Sequence, residues 1–427
     1  MIKFLLKGVL RDSSRSFFPI LIVGLSVAMI IFFQGFMTGV MNGFFKGTSV
    51  VSTGHVKVMT RAYHEESQLL PNDLALIDVK VMLKTLEKEY PDFFWTPRIN
   101  FAGLLDVPDK NGETLEQSPF VGIGIDMFSK NSRQIEIWEL ERKLLQGTLP
   151  KKNDEVLLSA KLLKRLKLKI GDMLTFIGST MHGAFTTYNF KVVGSFALNM
   201  GQIDKEMMLL DISGARNALD MEDAASEILG YSHSLYFDDE YTVDTRDIYN
   251  LLQVNEQDIF TPKMLALRDS HQMGTMVDMN NAIMFIILSV FMVIVMIVLW
   301  NMGLMSGLRR YGEIGMRFAI GESKWQVYRA MIMESVIIGF IGTTFGTIIG
   351  VCLTYYLQEV GLDYTKALES ISSTNMIMPN IFYAQVTPDL FYIGFIPGVF
   401  ATVLGTMLAG RAIYKREMAQ LFKELEA

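Results

Sequence analysis

Residues capable of acid–base, metal or nucleophilic chemistry are scattered along this chain rather than grouped. The five histidines are widely spaced, at positions 55, 64, 182, 233 and 271. The only cysteine, Cys352, lies in a long apolar run, which excludes a disulfide framework and a cysteine metal site. The sequence has no Walker-type phosphate loop, no HExxH helix and no GxSxG elbow. We therefore expect a chain that is not an enzyme alone, holds no metal or cofactor, and takes any energy from a partner.

One short polar stretch, Arg309–Lys324, is the strongest candidate for contact with such a partner. It separates two apolar runs, is rich in charge, and contains glycines at positions 312, 315 and 321. Glu313 and Arg317 stand four residues apart, so they can pair on one face of a short helix. Glycines permit helix ends and close backbone approach. The alternative is a basic loop that only sets membrane orientation.

Four uncharged apolar runs form the framework around this stretch. They cover residues 17–38, 279–308, 335–358 and 390–410. A helix across the hydrocarbon of a bilayer needs about 20 apolar residues. The first run is too long for a signal peptide and ends without a small-residue cleavage site, so we expect an uncleaved span. The pattern predicts a polytopic α-helical membrane protein with four transmembrane helices.

Charge predicts the orientation of the spans. The N-terminal segment, the stretch between the second and third runs and the C-terminal tail together hold 13 basic and 6 acidic residues. Residues 41–281 hold 25 basic and 34 acidic ones. Because basic loops remain in the cytoplasm, we expect both termini there and residues 41–281 outside. The overall charge of −6 hides this asymmetry and gives no reason to expect nucleic-acid binding.

The segment between the first two spans is predicted to be a large α+β extracytoplasmic domain. Alternating apolar residues favour strands near residues 54–59, 120–125 and 155–158, and Ser159 is expected to cap a short helix. Its acidic residues are typical of a solvated surface. Two connections are also predicted: a polar loop at Gly178–Tyr188, and one continuous helix from about Met264 into the second span.

Small residues recur every four positions in two of the spans, which is typical of close helix packing. The sequence leaves open whether they contact the same chain or another subunit. The helix-packing residues are Gly35, Gly39, Gly43, Gly342, Gly346 and Gly350.

The predicted order of segments runs from one cytoplasmic end to the other. It comprises a cytoplasmic segment (1–16), span one with a stalk (17–47), the external domain (48–272), a stalk with span two (273–308), a cytoplasmic coupling loop (309–330), span three (331–358), a second external loop (359–388), span four (389–411) and a cytoplasmic tail (412–427).

The central stretch resembles a known permease signature. The pattern Arg-x-Tyr-Gly-Glu-Ile-Gly-Met-Arg-x-Ala-Ile-Gly at residues 309–321, followed by Glu334 and Gly342-x-x-x-Gly346, resembles the FtsX/MacB/LolC-LolE superfamily of ABC transporter permeases. The tail at residues 408–413 is similar to that family's ending. Further similarities, to the LolC/LolE branch, lie at residues 40–44, 52–56 and 155–172.

This resemblance implies a dimer, with a second copy or a paralogue, bound to separate ABC ATPase subunits that hold ATP and magnesium. ATP-driven movement would reach the external domain, whose distal part would be about residues 120–210. The protein would lie in a bacterial inner membrane, with its external domain in the periplasm. The resemblance assigns ATPase coupling to Arg309, Glu313, Gly315, Arg317, Gly321 and Glu322.

The LolC/LolE branch further implies extraction of lipoproteins from the inner membrane toward a periplasmic carrier. The acyl chains would need an apolar cleft in contact with membrane lipids. As an alternative, the same side chains simply face lipid or a partner helix. The candidate cleft residues are Phe32, Phe33, Phe36, Met37, Val40, Met41 and Phe44.

Two other functions fit the same superfamily. One is a MacB-like exporter of peptides or drugs, and the other is an FtsX-like regulator of cell-wall hydrolases. The loop Gly178–Tyr188 is short and lacks proline, unlike the carrier-binding hook of one family member. The sequence therefore leaves carrier binding open.

Overall fold

The computed structural model describes residues 13–108, 113–198, 205–235, 237–252, 258–270, 273–309, 316–317, 319–363 and 381–414. The chain divides into two compact units. We call residues 1–41, 278–363 and 381–427 the helical unit, and residues 42–277 with 364–380 the sheet unit.

The helical unit consists mainly of long helices, and the sheet unit contains shorter ones. They are α1 (Ser13–Thr48), α2 (Arg61–Glu65), α3 (Val79–Glu89), α4 (Gln134–Ile137), α5 (Leu140–Lys143), α6 (Ala160–Arg165), α7 (Ile212–Leu219), α8 (Asp239–Leu252), α9 (Met273–Arg309), α10 (Lys324–Val360), α11 (Leu390–Ile393) and α12 (Ala401–Tyr414).

The strands are β1 (Val56–Thr60), β2 (Phe93–Pro108), β3 (Thr114–Ile125), β4 (Leu144–Gly147), β5 (Glu155–Ser159), β6 (Met173–Ser179), β7 (Phe185–Phe196), β8 (Met207–Asp211), β9 (Glu227–Ser232), β10 (Pro262–Ala266), β11 (Leu362–Asp363) and β12 (Ile381–Phe382).

Among the described residues, four helical segments are long and apolar enough to cross a membrane: Phe17–Thr48, Met273–Val298, Lys324–Val360 and Leu390–Leu408. The last is not a regular helix, because a π-helical turn at Ile396–Phe400 joins α11 to α12. Pro397 lies in that turn and has no backbone N–H to donate, which accounts for the local change in hydrogen bonding. The four uncharged runs of the sequence thus lie in helical segments that fit the expected spans.

One mixed sheet organises the sheet unit, in the order β10-β1-β9-β2-β3-β8-β5-β7-β4, with β6 paired to β2 and β7. Most pairs are antiparallel, but β3 with β8 and β5 with β7 are parallel. Phe101, Phe120 and Phe176 meet edge to face in the core, with ring centroids 5.3 to 5.7 Å apart. Such edge-to-face contacts stabilise the fold beyond the gain that comes from burying apolar area.

The local predictions for this unit hold at several points. The predicted strands correspond to β1, β3 and β5. The Ser159 hydroxyl accepts a hydrogen bond from the backbone N–H of Leu162 at 3.2 Å, so Ser159 caps α6 as expected.

One predicted connection is wrong and the other is shorter than predicted. The chain does not run as one helix from Met264, because β10 pairs there with β1 and α9 begins only at Met273. The predicted loop Gly178–Tyr188 is shorter than expected: β6 and β7 pair through Gly178–Thr186 and Ser179–Phe185, and only residues 180–184 connect the two strands. Glycine and small polar residues give this stretch little strand signal, so the sequence predicted a longer loop.

The outer edge of the sheet is closed by a side chain. The Asn250 amide donates to the carbonyl of Met264 and accepts from its N–H, both at 2.9 Å. It therefore satisfies backbone groups of edge strand β10 that a further strand would otherwise bind.

Candidate functional site

The described part of the polar stretch ends in a sharp turn into α10. Gly321 has a φ of +100°, a conformation that side chains with a Cβ rarely adopt. Ser323 then caps α10: its hydroxyl accepts from the Gln326 N–H at 3.3 Å, while the Gln326 side chain accepts from the Ser323 N–H at 2.8 Å. The helix therefore begins at Lys324, inside the predicted loop.

Only part of the predicted coupling set can be placed. Arg317 and Glu322 lie 4.0 Å apart and are both about half exposed. Arg309 is the last residue of α9. Glu313 and Gly315 lie outside the described residues, and so does the predicted pair of Glu313 with Arg317.

Large apolar side chains are exposed at this turn. Met316, Ile320 and Trp325 are 63%, 79% and 61% exposed. These three side chains give the start of α10 exposed apolar area next to its charged residues. The sequence pattern of glycines and charges did not point to these three residues.

The glycines of α10 bring it against α1 within the helical unit. A Cβ built on Gly342 or Gly346 would lie 2.8 Å from the Cβ of Val23 or Val27, and one on Gly350 would lie 2.9 Å from that of Ile31. Real Cβ atoms do not approach so closely, so only glycine permits this helix separation.

The glycines of α1 contact the chain around residues 383–385, and Gly35 also lies against Thr354 of α10. The Gln385 N–H donates to the carbonyl of Gly35 at 2.9 Å. A Cβ on Gly39 would lie 2.7 Å from the Cα of Ala384. Gly43, the third residue of this stripe, is half-buried and belongs to the sheet unit. Gly35 and Gly39 therefore let residues 383–385 lie against α1.

The predicted cleft residues are all half-buried on α1. Phe32 and Phe36 stack with centroids 6.4 Å apart, and Phe33 lies 6.3 Å from Phe291 of α9. Met37, Val40 and Met41 follow in the helical unit, whereas Phe44 belongs to the sheet unit and contacts Phe45. The row thus offers apolar surface that the chain only partly covers.

Arg98, Glu227 and Lys57 form a buried charge cluster in the sheet unit that the sequence did not predict. Arg98 and Glu227 are 2% and 3% exposed, and the Arg98 guanidinium lies 2.5 Å from the Glu227 carboxylate. Lys57 approaches the same carboxylate at 3.6 Å. Burial alone would raise the pKa of Glu227, but the charges of Arg98 and Lys57 hold it below its usual value. The expectation of a solvated acidic surface is therefore wrong for Glu227.

The cluster also holds the chain that follows α1. Arg98 donates to the carbonyl of Ser52 at 2.5 Å. Ser52 lies in a π-helical turn, Ser49–Thr53, which directly follows α1. Strand β2 thereby fixes the point at which the chain leaves α1 and enters the sheet.

His55 lies buried beside this turn. Its Nδ1 accepts a hydrogen bond from the Ser232 N–H at 2.8 Å, and its ring contacts Tyr231 and Phe237. Burial lowers the pKa of His55 to about 4. Because Nδ1 is already an acceptor, protonation there would break the bond to Ser232.

The sheet unit is therefore expected to lose stability in mild acid. The unfolded chain binds the His55 proton below about pH 6.5, whereas the folded chain does so only below about pH 4, so stability falls between these values by about 3 kcal/mol. Melting curves at pH 7.5 and 4.5 measure this loss of stability. We expect a smaller loss in His55→Asn, because asparagine does not titrate in this range and keeps an acceptor for the Ser232 N–H. Exposed His182→Asn is the matched control, and an equal pH response in all three proteins would contradict the assignment.

Comparisons with known proteins fit the helical part of this arrangement. Residues 285–418 match the FtsX-like permease C-terminal family. No curated protein matches the chain significantly. The crystal structure of the periplasmic region of MacB from Actinobacillus actinomycetemcomitans aligns with 52% of this chain and 92% of its own, at 15% identity and a TM-score of 0.33. A likeness at that level says nothing about function. The described residues thus include four helical segments long and apolar enough to cross a membrane, and residues 285–418 are similar to the C-terminal domain of FtsX-like permeases.

Proposed function

We propose that the chain is the permease subunit of an ATP-driven transporter that releases lipoproteins from a bacterial inner membrane. The match of residues 285–418 to FtsX-like permeases carries the permease assignment. The similarities at residues 40–44, 52–56 and 155–172 favour the lipoprotein-releasing branch. In this proposal both termini are cytoplasmic and the sheet unit is periplasmic, in accord with the distribution of basic residues.

A separate ABC ATPase would bind ATP and magnesium and dock on the turn before α10. Met316, Ile320 and Trp325 supply an exposed apolar contact there. Arg317 and Glu322 lie at the same turn and supply charge. The capped start of α10 makes this contact rigid, so displacement of the turn would move α10 as a body.

Lipid chains of the cargo would contact the apolar row on α1. Phe32, Phe33 and Phe36 are half-buried aromatic side chains that retain accessible surface in the helical unit. Hydrocarbon binds such surfaces without polar groups. A second permease, either a copy or a paralogue, would complete the enclosure, and a periplasmic carrier would receive the lipoprotein.

The test is affinity purification of the tagged chain from detergent-solubilised membranes, with mass spectrometry of the bound proteins. We expect a stoichiometric ABC ATPase and a lipid-modified protein. Ile320→Asp should reduce ATPase recovery at least about tenfold, because it places a charge in an apolar contact. Phe185→Asp, at a residue that is 76% exposed in the sheet unit, is the matched control.

Other outcomes would change the proposal. Recovery of an adaptor or outer-membrane duct in place of lipoprotein would indicate an exporter, and recovery of a cell-wall hydrolase would indicate a regulator. If no ATPase accompanies the wild-type chain, the docking role of the turn is wrong.

A further inference from the structure

A cleft of about 560 Å³ lies beside strand β1 in the sheet unit. A smaller cavity of about 290 Å³ shares His64 and Glu65 with it and is bordered by Lys263. The lining residues that bear on its chemistry are Lys57, His64, Glu65, Glu66, Leu69 and Ser270. Neither the family match nor the proposed transport cycle assigns a role to this cleft.

Lys57 connects the cleft to the buried charge cluster. Two cations, Arg98 and Lys57, face one carboxylate, Glu227, and Arg98 makes the shorter contact. Burial holds the pKa of Lys57 below its usual value despite the charge of Glu227, so the ammonium form of Lys57 is only partly compensated within the cluster. The Lys57 side chain, 14% exposed, is the member that reaches the cleft. An anion beside it would balance a charge whose partial burial is otherwise unfavourable.

A second feature of the same cleft points to an anion that accepts several hydrogen bonds. Ser270 lines the cleft, and its hydroxyl is buried with no hydrogen-bond partner among the described residues. A phosphate group can accept from this hydroxyl and from Lys57 together. Lysine binds phosphate as a point charge, whereas planar carboxylates favour the fork of arginine.

The opposite charge lies at the exposed side of the cleft. Glu65 and Glu66 are exposed carboxylates. Asp269 also lines the cleft but is occupied, because Arg246 lies 2.6 Å from it. Burial and the charges of Lys263 and Lys57 lower the pKa of His64, so His64 is a neutral hydrogen-bonding group near pH 7. The cleft therefore presents a cation at its inner side and carboxylates at its outer side.

We propose that this cleft binds a phosphate-bearing zwitterion of the phosphoethanolamine type, with the phosphate on Lys57 and Ser270 and the ammonium on Glu65 and Glu66. Leu69, which is exposed and also lines the cleft, offers apolar surface for the rest of such a molecule. The same group occurs as a lipid headgroup and as free glycerophosphoethanolamine. Binding needs neither an ATPase nor a cargo, so it can be tested apart from the proposed function.

The test is calorimetric titration of the purified full chain in maltoside detergent with glycerophosphoethanolamine. We expect Lys57→Met to weaken binding at least about tenfold, while Lys84→Met on the exposed side of α3 leaves it unchanged. Lys57→Met should stay folded, because Glu227 keeps Arg98 as its partner. Its melting temperature, at or above that of wild type, separates lost binding from lost folding.

A charge-selectivity experiment tests the ammonium half of the proposal. The double variant Glu65→Gln with Glu66→Gln should bind glycerophosphoethanolamine more weakly and glycerophosphate, which lacks the ammonium, more tightly. If wild type binds glycerophosphate as tightly as the zwitterion, the assignment of Glu65 and Glu66 is overturned.

Native mass spectrometry distinguishes the two sources of the headgroup. Retention of phosphatidylethanolamine over phosphatidylglycerol, lost in Lys57→Met, would support the lipid as ligand. Calorimetric binding of the free compound without lipid retention would support the soluble one. If the wild-type chain shows neither millimolar binding nor lipid retention, or if Lys57→Met binds normally, the proposal is wrong.

Discussion

Replacing Arg98 with methionine is expected to destabilise the sheet unit by about 3 kcal/mol or more. The substitution leaves the Glu227 carboxylate buried, with Lys57 at 3.6 Å and the Asn100 amide as its remaining partners. It also removes the donor to Ser52. Breaking one side of a buried ion pair costs far more than the pair itself contributes, because the other charge stays out of water.

Thermal unfolding followed by tryptophan fluorescence will measure this loss, since Trp95 and Trp138 are both buried in the sheet unit. Arg165→Met is the control, because its pair with Glu206 is about 40% exposed and should contribute under about 1 kcal/mol. Adding Glu227→Leu to the Arg98 variant should restore part of the stability, because it removes the buried carboxylate but leaves Lys57 and the Ser52 carbonyl without these partners. An Arg98 variant that melts like wild type would show that the cluster does not support the fold.

Replacing Gly346 with leucine should separate α1 from α10. A side chain at this position would overlap Val27 and the backbone at Gly24, and backbone cannot move aside as a side-chain tip can. Overpacking of a well-packed interior costs roughly 1–3 kcal/mol where side chains can adapt. Contact with backbone places this variant at or above the upper end of that range.

The measurement is the melting temperature and monodispersity of the detergent-solubilised chain. Thr344→Leu is the matched control, because Thr344 is exposed two positions earlier on α10 and gains the same side chain. We expect the control to remain monodisperse and the Gly346 variant to aggregate or melt early. Equal behaviour of the two variants would mean that these helices do not pack through Gly346.

The sequence predicted the helical unit well because membrane helices have a strong local signal. An uncharged run long enough to span hydrocarbon has few alternatives, and Ser159 shows that capping chemistry is equally local. The strand β10 was missed for the opposite reason. Its five residues gain their identity from pairing with β1, which lies about 200 residues earlier in the chain.

The candidate sites also differ in whether their sequence signal is local or depends on distant parts of the chain. The glycines at positions 342, 346 and 350 could be recognised by their spacing, but not the surface against which they pack. Arg98 and Glu227 are 129 residues apart, and no local pattern distinguishes them from the many exposed charges of this chain. The exposure of Met316, Ile320 and Trp325 near the start of α10 depends on tertiary structure and could not be predicted from their residue types.

The amide of Asn250 has a consequence for how many copies of the chain can coexist. Proteins anchored in one membrane diffuse in two dimensions, so their domains meet far more often than they would in free solution. A bare sheet edge on such a domain would template strand exchange between neighbours. Because Asn250 bonds both backbone groups of Met264, a strand from a neighbouring copy cannot form hydrogen bonds with them. One side chain thereby helps to keep crowded neighbours from joining their sheets into aggregates.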